Sequence, residues 1–110
     1  MNPWIGVDLD ATLARYDGFK GETIIGEPIP LMVNRVKRWL EEDKEVRIFT
    51  ARVAPYENRD LEAVRTAIHD WCEVHIGQKL AVTCIKDHGM VAFYDDRAHR
   101  VEANTGIVLC

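Results

Sequence analysis

Asp8-Leu9-Asp10-Ala11-Thr12-Leu13 follows directly on the apolar run Trp4-Ile5-Gly6-Val7. Two carboxylates at i and i+2, at the end of a short buried strand, project from that strand's C-terminal edge, where open α/β sheets place their ligands. Two neighbouring anions repel each other, so a site that uses both requires a proton or a cation. A hard divalent ion such as Mg²⁺ suits the position, because it takes oxygen ligands and recruits phosphates. The plainer reading of the hexapeptide alone is a strand-end turn in which one Asp caps the next segment.

The rest of the chain repeats the pattern. The apolar run Val46-Arg47-Ile48-Phe49 ends in Thr50-Ala51-Arg52, and Ala81-Val82-Thr83-Cys84-Ile85 ends in Lys86. Met90-Val91-Ala92-Phe93-Tyr94 ends in Asp95-Asp96-Arg97. Strands are expected over 4–9, 46–50, 81–85 and 91–94, with a short fifth over 107–109. Pro30 opens a helix expected to run to about 43, with Met32, Val36, Trp39 and Leu40 on its apolar face. A second helix is expected over 57–75, carrying the stripe Leu61, Val64, Ile68, Trp71 and His75 and stopping at Gly77. Residues 14–30 read as an irregular flap, since Gly18, Gly21 and Gly26 break any period. Such alternation predicts an α/β fold with a parallel sheet covered by helices on both faces.

In this order the segments resemble the four motifs of the haloacid dehalogenase (HAD) superfamily of phosphohydrolases: Asp-x-Asp-x-Thr, a strand-end Thr or Ser, a Lys, and a terminal acid pair. Asp8, Asp10 and Thr12 match the first, Thr50 the second, Lys86 the third, and Asp95 with Asp96 the fourth. Ala11 departs from the family's usual Gly. The resemblance spans nearly the whole chain and implies a three-layer Rossmann-like fold with strand order 5-4-1-2-3. Neither inter-motif gap leaves room for a cap domain, which needs roughly 40 residues or more. The most similar members are small capless phosphatases of phage and bacterial genomes and the 3′-phosphatase domain of polynucleotide kinase. The 5′-deoxynucleotidases share a related acid-acid-Arg ending.

The same resemblance implies the chemistry. Asp8 is the expected nucleophile, forming an aspartyl-phosphate, and Asp10 the general acid and base. Mg²⁺ is expected on Asp8, Asp10 and the acid pair, with Asp96 favoured as the direct ligand and Asp95 as its support. Thr50 is expected to donate to the phosphoryl oxygens and Lys86 to stabilise them while keeping Asp8 ionised. Thr12, Arg52 and Arg97 are candidates for substrate binding, although Arg52 and Arg97 can equally pair with Asp95 or Glu57. His88 is a further candidate for the mouth of the site. The implied activity is a Mg²⁺-dependent phosphomonoesterase acting on a nucleotide, a nucleic-acid end or another exposed phosphate. Two alternatives stand beside it: a phosphate-binding module without turnover, and a sugar-phosphate phosphatase closed by a homo-oligomer. A signalling receiver domain is rejected because its acid pair comes first and its phosphorylated Asp in mid-chain, where this sequence has Thr50.

Composition bounds the partners. The chain has 110 residues, 47% hydrophobic and 29% charged, which suits one compact domain. A net charge of −4 argues against a general nucleic-acid coat. No segment reads as a membrane span or a signal peptide. The odd set Cys72, Cys84 and Cys110 lacks metal-ligand spacing, so a reducing, cytoplasmic setting is expected. In the flap, Tyr16, Phe19 and Lys20 are placed to meet whatever lies beyond the scissile phosphate, or else to pack on the core.

Overall fold

A computed structural model describes residues 2–56 and 59–110. Four strands, β1 (Trp4–Val7), β2 (Glu45–Phe49), β3 (Ala81–Thr83) and β4 (Met90–Tyr94), form one parallel sheet in the order β3-β2-β1-β4. Helix α1 (Pro30–Glu41) joins β1 to β2, and α2 (Leu61–His75) joins β2 to β3. Pro30 occupies the first turn of α1, where its missing N–H costs nothing. The second helix starts at Leu61, because the Asp60 carboxylate accepts the Ala63 N–H at 3.0 Å and caps it. The expected earlier start at Glu57 lies outside the described residues.

Both connections step across the sheet in the same direction. Right-handed crossovers then put both helices on one face. The core agrees, for Ile5, Val7, Val46, Ile48 and Val82 join Val33, Val36, Trp39, Val64, Ile68 and Cys72 in one cluster. The alternate strand residues Trp4, Gly6, Arg47, Phe49 and Phe93 face the other way. There Phe49 and Phe93 meet edge to face at 5.0 Å, and the Arg47 guanidinium lies 4.4 Å from the Trp4 ring. No helix links β3 to β4; loop 84–89 crosses beneath this face, with Asp87 accepting from Trp4 Nε1 at 2.7 Å and pairing with Arg47 at 3.5 Å. These bonds, with the Gly89 N–H, hold the Asp87 carboxyl below its ordinary range.

Two expectations are corrected. The sheet has helices on one face rather than both, because the element that would cover the second face is a loop. The order 5-4-1-2-3 also fails at its end. Val108–Leu109 (β6) pairs antiparallel with Arg100–Val101 (β5) in a separate hairpin, so among the described residues no fifth strand joins β4. The flap leaves and returns as a pair of short stems, with Arg15 N–H donating to Glu27 at 2.7 Å and Ile29 N–H to Leu13 at 2.8 Å. At Gly26 any Cβ would overlap the Arg15 carbonyl oxygen, so only glycine fits the return stem. The described residues form no separate cap domain. None of their helices is long and apolar enough to cross a membrane.

Candidate functional site

Strands β1, β2 and β4 all end at one edge of the sheet, and their exits supply the acidic site. Asp8 and Asp10 follow β1, Thr50 follows β2, and Asp95 and Asp96 follow β4. The Asp8 N–H donates to the Tyr94 carbonyl at 2.9 Å, which carries the β1–β4 pairing one residue beyond the strand and locks the two acidic exits together. Each of Asp8, Asp95 and Asp96 offers a carboxylate oxygen within 4.8 Å of the others. Burial pushes the Asp8 carboxyl up to about 7, helped by the charge of Asp95 and a hydrogen bond with Asp96. Three carboxyl groups so close together can hold a metal ion, and without one burial and the Asp95 charge favour the protonated form of Asp8.

These acids open into a cavity of about 460 Å³, lined also by Asp10, Thr50 and Arg97. Thr50 is buried and caps a single 3₁₀ turn, Ala51–Val53, its hydroxyl oxygen accepting the Arg52 N–H at 3.1 Å. That leaves the hydroxyl hydrogen to donate. The exposed Arg97 sits at the rim, and its backbone N–H donates to Asp95 Oδ1 at 2.8 Å.

Five expected roles are changed by the packing. Asp10 lies outside the three-acid cluster, because its carboxylate is held by Arg52, Nε to Oδ2 at 2.8 Å and Nη2 to Oδ1 at 2.9 Å. Arg52 is therefore no open phosphate clamp. It is buried, and Nη1 donates to the flap carbonyls of Gly21 (3.2 Å) and Glu22 (2.8 Å). Thr12 turns towards the acid pair, donating to Asp96 Oδ1 at 3.2 Å and accepting the Asp96 N–H at 3.0 Å. It positions Asp96 instead of lining the cavity. Lys86 and His88 are exposed and do not line it either. Their loop runs straight from β3 back under the sheet to meet Trp4, whose N–H donates to Gly89 at 2.8 Å, and this carries Lys86 away from the acidic edge.

Arg59 and Tyr56 belong to the surface of this candidate site and were missed by motif reading. Both line the cavity. The Arg59 guanidinium pairs with Glu22 at 2.9 Å, lies 4.9 Å from the Tyr56 ring, and donates to the carbonyls of Ala51 and Ala54. The sequence signal was faint: an aromatic and an arginine shortly after the second strand's polar exit.

No protein-family model matches the chain, and no curated protein does. Among solved structures it is similar to a conserved protein coded by a locus of Bacteroides thetaiotaomicron, at 22% identity and a TM-score of 0.59, over 89% of this chain and 78% of that one. This likeness is one of fold.

Proposed function

We propose that this chain is a Mg²⁺-dependent phosphomonoesterase of the HAD type, working through an aspartyl-phosphate. The observation that carries the reading is the convergence of Asp8, Asp95 and Asp96 within 4.8 Å, beside Thr50, at the edge where the sheet's strands end. The donor set is all carboxylate, which fits a hard cation, and burial with the nearby charge of Asp95 raises the Asp8 carboxyl, so a cation there offsets a cost the site already bears. When bound by these three acids, Mg²⁺ supplies the charge that lets them and a phosphate share one cavity.

The chain's own residues do the rest. Asp8 attacks phosphorus as the bond to the leaving oxygen breaks, and Thr50 donates to a phosphoryl oxygen. Asp10 protonates the leaving oxygen and then takes a proton from the water that opens the acyl phosphate. Both of its oxygens are engaged by Arg52, so this pair has to loosen for Asp10 to reach the leaving group. Lys86 has no part in this scheme; Arg97 at the rim supplies the nearby cation.

Asp8→Asn keeps the side chain's shape and removes the nucleophile. Hydrolysis of an aryl phosphate with Mg²⁺ should fall on the order of 10³-fold or more, against no change for a substitution at exposed Lys37. Retention of most activity by Asp8→Asn would end the proposal.

A further inference from the structure

We propose that Phe19 and Tyr56 clamp the base of a phosphorylated nucleoside at the mouth of this cavity, a substrate assignment that rests on the phosphatase reading above. The two rings come from different segments, the flap and the loop after the 3₁₀ turn, yet line the same cavity as the three acids. They are 66% and 65% exposed, so neither is spent on the core. A large ring left in water forgoes the gain from burial, and two of them around one polar cavity form a surface suited to a planar partner.

Both segments are braced. Arg52 bonds the Gly21 and Glu22 carbonyls, and Arg59 holds the Glu22 carboxylate, which fixes the flap just beyond Phe19. The same Arg59 lies against the Tyr56 ring, while the Tyr56 N–H donates to Ala54 at 2.9 Å. Rings presented on anchored backbone lose little freedom when they stack, and every nucleobase offers a π-face to them. A cavity of about 460 Å³, polar at its floor and aromatic at its rim, lies in the range of small-molecule sites. The phosphate takes the acidic floor with its cation, and the base takes the rim.

The test is the ratio of kcat/KM for adenosine 5′-monophosphate to that for ribose 5-phosphate, with Mg²⁺. The ratio should exceed about 10 for the native chain and fall by about 10-fold or more in Phe19→Leu/Tyr56→Leu, which removes two exposed rings and the Arg59 contact on Tyr56, a loss both substrates share. A native ratio near unity, or one that the double variant leaves unmoved, overturns the clamp while the phosphatase reading stands. Absence of turnover on every phosphate ester sinks the phosphatase reading instead. Calorimetric binding of adenosine 5′-monophosphate then judges the clamp: weakening of about 10-fold in the double variant upholds it, and equal affinity overturns it. A 5′-phosphorylated oligonucleotide run alongside separates the sources of the same chemistry. Faster turnover than the mononucleotide assigns the clamp to a strand end, and slower turnover to the free nucleotide.

Discussion

Ala11 sits at φ 69°, in the left-handed region where a Cβ crowds the neighbouring carbonyl. The turn it occupies redirects the chain between Asp10 and Thr12, so its geometry sets how these two residues leave the strand end. A positive φ is the reason such a position favours glycine, and Ala carries a cost there. Ala11→Gly should raise unfolding stability by about 1 kcal/mol, after the entropy that glycine adds to the unfolded chain. A lower midpoint in urea would show that the strain is absorbed elsewhere. At the neighbouring acid, Asp8 has a folded pKa of about 7 against an ordinary 3.8. Between these values the folded chain holds a proton that the unfolded chain has lost, so without metal the Asp8 contribution to stability falls as pH rises through that window. A cation must displace this proton. Mg²⁺ should therefore raise the melting temperature more at about pH 8 than at about pH 5.5, and Asp8→Asn should flatten the difference. Equal increments at both pH values would argue that Mg²⁺ binds elsewhere.

At the scale of elements, the flap is held by side chains more than by its own backbone. Arg52 and Arg59 both reach it from the far side of the site, and Trp71 of α2 donates to Gly26 at 2.9 Å. Lysine cannot reproduce the fork by which Arg52 holds Asp10 on two oxygens while bonding two carbonyls. In Arg52→Lys, hydrogen exchange at the Ile24 amide, which bonds Gly21 within the flap, should quicken by about 10-fold. The amide of Ile68 in α2 should keep its rate. A matching rise at both would signal general destabilisation, and no rise at either would release Arg52 from its bracing role. Loop 84–89 shows the converse, an element whose course removes a residue from the site. Strand β3 ends at Thr83, short of the expected 85, and Lys86 follows inside the loop that Asp87 and Gly89 draw towards Trp4.

Across the whole molecule, one face of the sheet carries the helices and the other carries aromatics and Arg47 over a loop. The acidic cavity stands at the end of this sandwich, open to solvent. The alternation of apolar runs and turn residues was legible because strand and helix periods are local properties of the chain. For the same reason the meeting of Asp8, Thr50, Asp95 and Asp96 at one edge was legible: a polar group just past a parallel strand's C-terminus emerges there wherever the strand sits in the sheet. The tertiary structure alone decided which polar groups meet. Arg52 and Asp10 are 42 residues apart, and Thr12 and Asp96 are 84 apart. Local periodicity says nothing about such pairs, because each arginine or hydroxyl takes whichever partner the packed backbone brings within hydrogen-bond reach. The sidedness of the helices, the detour of Lys86 and the placing of Tyr56 and Phe19 on one cavity arise the same way, from chain crossings that no window of sequence contains.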